Sequence, residues 1–504
     1  MNTQLKANSS LIGLILLIST ILCSIVLHWN IFTQDLSGSH IWRQSQTQWN
    51  IINFQKYDPN ILNPRVASFN YDNDNLYRYE FPLMQWCIGM LHRLFGDAII
   101  ITRMSIFLIG CFSLLGFYKL SNLLVKNKIV AALGAWALSF SPVFFYWTVN
   151  PIPDNLALCF SIWHLYYVFI YLEKKEIKYA WIAALFLSLA TLVKLPFVIF
   201  GAAAIAGFLV QLKADRFQLT KKKIIYCTSF LLLIIPAAVW YYWVIPGWGG
   251  NGIVKGIFDS QMDRKEIVRI LEYHWKEMFP DFLMTPTTLL LFVPGVVLFF
   301  VKGHFLRKNS FVLLLPLLMV ILYFAYEINM INVQHDYYMF PFLPFLYLAV
   351  VVAIYYAWKQ GAFHKVITIL LLLGISYQTY QTTIKRWEPE VPGASLSLYE
   401  HQDALINAVP EDELCIILND DSQHIFAYKI RKRGYIFWAD QMPVPWVEDL
   451  VGNKGVKYMY STSRKIDEDP AYQPFFKQLL LEAGEVKVFE LQMPTSKENR
   501  TNKE

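Results

Sequence analysis

Apolar residues along the chain are gathered into long runs separated by short polar stretches. The runs lie at about 10–29, 99–123, 129–147, 155–172, 179–194, 196–212, 223–245, 284–301, 310–326, 338–357 and 365–380. Each is close to the roughly 20 residues that a helix needs to cross the hydrocarbon core of a bilayer. The pattern predicts a polytopic α-helical membrane protein with about eleven transmembrane helices. The first run follows Lys6, is too long for a signal-peptide core and lacks a small-x-small cleavage pattern, so it reads as an uncleaved span. Segment 82–96 is short and carries His92 and Arg93, which favours an interfacial helix over a crossing one.

The polar stretches carry the orientation. Alternate loops are short and basic: Lys119 to Lys128, Lys174 to Lys178, Lys213 to Lys223, Lys302 to Lys308 and Lys359 to Lys365. An excess of Lys and Arg marks the cytoplasmic side. The other loops, 30–98, 148–154, 246–283 and 327–337, have mixed charge and are expected outside. An odd number of spans then puts the N-terminus in the cytoplasm and the tail on the exported side, with two crossings within 179–212 around Lys194 and Pro196.

Beyond about Thr382 the period changes. Leu414 to Asn419, Tyr435 to Trp438, Val456 to Ser461 and Val486 to Leu491 read as short strands. Helical patterns lie between them at 422–431, 444–451 and 471–483. The alternation predicts a small, mainly parallel α/β domain. The expected division is a membrane domain over 1–381, including the long exported loop 30–98, an exported α/β domain over 382–493, and a disordered polar tail over 494–504.

Composition agrees with this layout and narrows the function. The chain is 55% hydrophobic and 16% charged, with a mean hydropathy of +0.35, which excludes a soluble single-core fold. The net charge of +6 is spread over short loops rather than one basic face, so nucleic acid is not an expected partner. Five cysteines lie in or beside apolar runs and Cys415 stands alone in a strand pattern. Without a CxxC or Cys/His cluster, neither a disulfide framework nor a zinc site is indicated.

Four segments on the expected exported side carry candidate chemistry. The first loop, nearly seventy residues long, holds Asp35, then His40, Trp42, Arg43 and Gln44, then Glu80 and Pro82. Loops that long are usually functional or disordered, and the aromatic content argues against disorder. Its aromatic and polar positions around Trp42 to Phe54 suit an amphipathic helix lying on the membrane; a scaffold helix packed on the bundle is the alternative. Asp154 precedes a span, where it either caps a helix or acts in a site. Lys194 is an ammonium between two apolar runs, and such a residue either snorkels to the headgroups or marks a functional site. His335 and Tyr338 open the last proline-containing spans.

The order of these motifs resembles the GT-C glycosyltransferases, in particular the protein O-mannosyltransferase and aminoarabinose transferase superfamily that uses polyprenyl-phosphate sugars. In that family the first exported loop begins with an Asp-Glu-x-x-Tyr type motif. The matching stretch here is His40-Ile41-Trp42-Arg43-Gln44, so either His40 takes the place of the acid or Asp35 does. Glu80 and Pro82 resemble the family's Glu-Lys-Pro motif, with Phe81 where the Lys stands. Asp154, Lys194, His335 and Tyr338 are similar to the family's later acidic, basic and aromatic positions.

The resemblance implies transfer of a sugar from a polyprenyl-phosphate donor to a glycan, lipid or protein acceptor, with inversion, at the exported face of an inner or plasma membrane. In this scheme His40 or Asp35, with Asp154, orients or deprotonates the acceptor. Arg43 and Lys194 bind phosphate, with Trp42 and Gln44 as further substrate contacts, and Glu80, Tyr338 and His335 position the sugar. A His suits base catalysis near neutrality better than an unperturbed Asp. No resident cofactor is expected beyond the lipid-phosphate sugar as co-substrate, and a divalent metal is not indicated. The rival classes are a lipid or glycan transporter or flippase, which calls for polar groups deep in the spans, and a non-catalytic scaffold.

Overall fold

The computed structural model describes residues 2–248, 252–259, 262–302, 310–389 and 395–494. It divides into two compact units. One comprises residues 1–34, 79–84 and 95–386; the other comprises 35–78, 85–94 and 387–504. Arg386 is the last residue of the first unit. The first loop differs from the expected division, because most of it groups with the tail. The expected disordered tail, 494–504, lies outside the described residues except for Pro494.

In the first unit each of the eleven expected apolar segments is helical. Among the described residues, seven helices are long and apolar enough to cross a membrane by length and composition. To these are added a bent pair, Arg264–Leu283 with Pro286–Lys302 at 101°, and three shorter apolar helices, Lys128–Ser139, Ile177–Val193 and Phe311–Tyr326. Local chemistry sets their ends. The Asn127 side chain accepts from the amides of Ile129 and Val130 at 3.1 and 3.2 Å, satisfying two donors that the helix leaves open. The expected span 129–147 is split into Lys128–Ser139 and Pro142–Trp147, because Pro142 has no N–H to continue the ladder and is suited to a helix start.

The segment around Lys194 folds back on itself, as expected. Lys194 is extended (φ −153°, ψ 109°) between Ile177–Val193 and Leu195–Gly201. Leu187 and Gly201, seven residues to either side, come into contact. His164 bridges the two arms from within the unit, with Nδ1 2.9 Å from the Ala183 carbonyl and Nε2 3.1 Å from that of Phe200. Elsewhere helices approach through small residues: a Cβ at Gly295 would lie 2.0 Å from the Ala349 oxygen. Leu231, Val239, Leu290, Phe300 and Leu370 stay exposed, as side chains facing lipid do.

In the second unit the tail forms a five-stranded sheet: β1 (Cys415–Leu418), β2 (Gly434–Phe437), β3 (Tyr458–Ser461), β4 (Phe476–Ala483) and β5 (Val486–Leu491), in the order β2-β1-β3-β5-β4. β2, β1 and β3 are parallel, whereas β5 is antiparallel to both β3 and β4. The expected helix over 471–483 is therefore corrected to an edge strand. Ala483 pairs with Val486, leaving a two-residue turn whose first residue, Gly484, has φ +61°. That is the glycine-first chemistry of a tight hairpin. β4 exposes Lys477 to Leu480, so its apolar residues carry no clean alternation to announce a strand.

The first loop completes this unit. The Phe69 amide donates to the Gly434 carbonyl at 2.8 Å, and the Gly434 amide donates to Ala67 at 3.1 Å, extending the sheet beyond β2. Helix Ile41–Lys56 buries polar residues on all sides, including Arg43, Gln44, Gln46 and Asn53. It is a packed scaffold helix, not one lying on a surface. Asn50 and Asn53 donate to the Arg65 carbonyl at 2.6 and 3.2 Å, and Gln46 meets His424 at 3.2 Å. Helix Leu83–Phe95 has 13 residues, about 20 Å at the helical rise, short of a bilayer crossing.

Candidate functional site

The first unit gathers charge at one set of helix ends. Asp154 is the first residue of helix Asp154–Lys174, with Pro153 in the capping position, so its carboxylate is not an N-cap. It is 1% exposed, and one oxygen lies 3.5 Å from the Lys194 ammonium. The extended backbone at the fold-back turns Lys194 inward, and its Nζ sits 5.2 Å from the centre of the Tyr338 ring. Lys194 is 9% exposed, which places it in an ion pair rather than reaching out to headgroups.

Two further carboxylates belong to this neighbourhood. Glu327, buried at the end of helix Phe311–Tyr326, has its carboxyl pushed up to about 7 by burial, while the Lys194 charge pulls in the opposite direction. Glu80 and Asp154 both act electrostatically on Tyr241, whose hydroxyl donates to the Leu192 carbonyl at 3.1 Å. The segment carrying Glu80 is anchored by Trp240, whose indole N–H donates to the Tyr79 carbonyl at 3.1 Å. Phe81 packs edge-on against Trp240 at 5.0 Å, and its amide donates to Leu192. Where the family's motif has a lysine, this chain has an apolar anchor.

His335 and Asp336 are held beside this group. His335 Nδ1 lies 2.6 Å from the Met330 carbonyl, with its ring 5.3 Å from that of Tyr338. Asp336 is ion-paired with Arg386 and accepts from the Trp147 indole at 3.0 Å. Arg386 in turn lies over the Tyr146 ring at 4.1 Å. Arg103, fully buried, donates to the carbonyls of Gln34 and Val149 and to Asn150 Oδ1 at 2.8, 3.1 and 2.7 Å, tying loop ends together.

The first unit therefore brings together Glu80, Asp154, Lys194, His335 and Tyr338. Asp35, His40, Trp42, Arg43 and Gln44 belong to the second unit. There Asp35 pairs with Lys429 at 3.0 Å, accepts from Gln402 at 3.1 Å and is hydrogen-bonded by Tyr428. Burial raises its pKa, but Lys429, Tyr428 and Gln402 together hold the carboxyl below its ordinary value. His40 stands at φ +56° immediately before helix Ile41–Lys56. Arg43 is buried and bonds to Gln46 one turn on.

The sequence singles out Asp336 beside His335 and Tyr338, but it marks neither Glu327 nor the pairing of Asp336 with Arg386. A single carboxylate closing an apolar run was the available signal for Glu327; the Asp336–Arg386 pairing spans 50 residues and leaves no local mark. Among the described residues, no group of three or more His, Cys, Asp or Glu side chains is placed to share a metal ion.

Residues 80–243 match a family model described as dolichyl-phosphate-mannose-protein mannosyltransferase. Among solved structures, ArnT from Cupriavidus metallidurans bound to undecaprenyl phosphate superposes with a TM-score of 0.63 at 12% identity, covering 94% of this chain and 97% of that one. The chain has a GT-C fold. The archaeal oligosaccharyltransferase AglB from Archaeoglobus fulgidus, in complex with an inhibitory peptide and a dolichol-phosphate, matches this chain with a TM-score of 0.57 at 12% identity over 89% of this chain and 69% of that one. The mycobacterial arabinofuranosyltransferase AftD matches at 0.58 and 12% identity, over 94% and 41%. No curated protein sequence matches. The apolar helices and the GT-C fold together make this an integral membrane protein.

Proposed function

We propose that the chain is a membrane glycosyltransferase that moves a sugar from a polyprenyl-phosphate-linked donor to a hydroxyl of a glycan, lipid or protein acceptor. The observation that carries this reading is the buried Asp154–Lys194 pair, with Tyr338 and Glu327 about it, in a fold whose solved relative holds undecaprenyl phosphate. Transfer from a lipid phosphate requires a cation for the leaving group, a proton acceptor for the incoming hydroxyl and exclusion of water.

Lys194 is the phosphate cation in this proposal. A lysine ammonium is a point charge with three rotatable donors, so it exchanges a carboxylate at 3.5 Å for a phosphate without a fixed fork geometry to rebuild. Asp154 holds Lys194 and orients the acceptor. Glu327, with a carboxyl near 7, is matched to receiving a proton close to neutrality, and Glu80, Tyr338 and His335 position the sugar. Asp35, His40, Trp42, Arg43 and Gln44 belong to the second unit, and the proposed transfer step is carried by the residues of the first.

The acceptor oxygen attacks the anomeric carbon as the bond to the phosphate oxygen breaks. The hydroxyl proton passes to the carboxylate, and polyprenyl phosphate leaves. A single displacement inverts the anomeric centre. The reaction is placed at the exported face of an inner or plasma membrane with the N-terminus cytoplasmic, and it is proposed to need no metal.

The test is product mass spectrometry with purified protein, a panel of polyprenyl-phosphate sugars and acceptor mixtures, with and without exhaustive chelation. Sugar transfer at an unchanged rate under chelation is expected. Lipid translocation in vesicles without any transfer would replace this reading with a flippase.

A further inference from the structure

The second unit contains a cleft of about 360 Å³ that the transfer chemistry does not use. Small-molecule pockets fall in the range of about 300–1,000 Å³, so it is large enough for a ligand of that class. The first loop and the sheet both line it, and its aromatic side chains include Tyr71, Tyr77, Tyr435, Phe437 and Trp446. Trp446 lies 5.7 Å from Phe437 and 6.3 Å from Tyr71, so three rings form one wall. Tyr71 and Trp446 remain 61% and 47% exposed, although burying such rings is worth several times a single hydrogen bond.

The polar lining has a distinct character. It includes Asn70, Asp74, Gln423 and His424, with no Lys or Arg. Arg65 and the Leu76 amide both bind Oδ1 of Asp74, so Oδ2 keeps its acceptor capacity. His424 is 8% exposed and its Nδ1 has no hydrogen-bond partner among the described residues. Burial and the nearby Arg43 charge push its pKa down to about 3, so the ring is neutral across the physiological range. Lys454, outside the lining, donates to the Tyr71 carbonyl and lies over the Tyr71 ring at 4.2 Å. The same ammonium lies 5.1 Å from the Tyr435 ring, so both tyrosines already hold it, and the lining itself offers a carboxylate rather than a cation.

We propose that this cleft binds a neutral saccharide, with a sugar ring stacked on the Trp446 and Tyr71 wall. Its hydroxyls meet Asp74 and Gln423, with the neutral His424 ring in the lining. A sugar ring presents a flat face of C–H groups, which packs on an aromatic ring, and a rim of hydroxyls, which needs both donors and acceptors. A carboxylate, a primary amide and a neutral imidazole supply both. The assignment does not depend on the transferase reading, because none of these residues belongs to the Asp154–Lys194 group.

The test measures binding of mannotetraose, cellotetraose and maltotetraose to the full-length protein in nanodiscs by isothermal titration, with a proline nonamer as the contrasting probe. At least one oligosaccharide is expected to bind. Trp446→Ala, at a half-exposed position, should weaken it about tenfold or more. Gln423→Gly should weaken it about threefold; with φ at +58° this position accepts glycine without strain, so the variant keeps the fold while deleting the amide. Lys194→Ala should leave binding unchanged. The proposal is overturned by no binding of any oligosaccharide at 10 mM, by binding insensitive to both cleft variants, or by capture of the proline nonamer alone.

Discussion

Two buried ion pairs in the membrane unit are built from the same chemistry and differ in how tightly they are held. Asp336 and Arg386 form one. Its carboxylate also takes the Trp147 indole proton, and its guanidinium lies flat over Tyr146. Asp154 and Lys194 form the other, at 3.5 Å, with the ammonium beside the Tyr338 ring and acting electrostatically on Glu327. Arginine presents five donors in a rigid fork, whereas lysine is a compact charge on a flexible stem. The first pair is over-determined and reads as a strut. The second leaves its cation able to change partners, which suits a group that meets substrate.

Substitutions at both pairs test this contrast. Asp336→Ala strands the Arg386 charge in a buried setting, and breaking such a pair costs about 3–5 kcal/mol. A fall of that size is expected in the unfolding free energy in detergent; a loss below about 1 kcal/mol would remove the strut. Lys194→Ala should invert the balance. Losing a cation that stabilises transition-state charge lowers kcat/KM about 10²–10³-fold. Stability should fall by only about 1–2 kcal/mol, because Asp154 keeps a favourable place in the first turn of its helix. Full turnover and unchanged donor affinity in this variant would end the phosphate-binding proposal.

How far these pairs were legible in the sequence follows from the range of each signal. Apolar run length is local, and every expected segment is a helix. Alternation marks β1, β2, β3 and β5, whereas the exposed edge strand β4 reads as a helix because its apolar residues do not alternate between buried and exposed positions. Asp154 and Lys194 stood out as charges next to apolar runs. Glu327 carries the same signal, a lone carboxylate closing an apolar run. The partner of Asp336 lies 50 residues away and that of Asp35 lies 394 away, separations at which composition and period carry nothing. The same limit applies to helix Ile41–Lys56, whose polar residues suggested a membrane surface until the loop and tail residues that satisfy them were placed.

Glu327→Gln refines the contrast by asking what the exchangeable pair does with a third charge. Burial lifts this carboxyl to about 7, against an ordinary value near 4.5, and the Lys194 ammonium limits the rise. A general base works only when deprotonated, so kcat/KM should climb with pH through about 7 and level off above it. The amide cannot accept the proton; the variant should lose about 10²-fold in rate at pH 8 and the climb should flatten. Stability carries an independent signature. A raised folded-state pKa contributes stability that is fully present below the unfolded value and is lost as pH rises through about 7. The wild type should therefore weaken between about pH 4.5 and 7 relative to the Gln variant, in denaturant titrations at each pH. If the variant keeps both the rate and the climb, the proton goes to Asp154 instead. Glu327 is then only a packed neighbour that tunes Lys194.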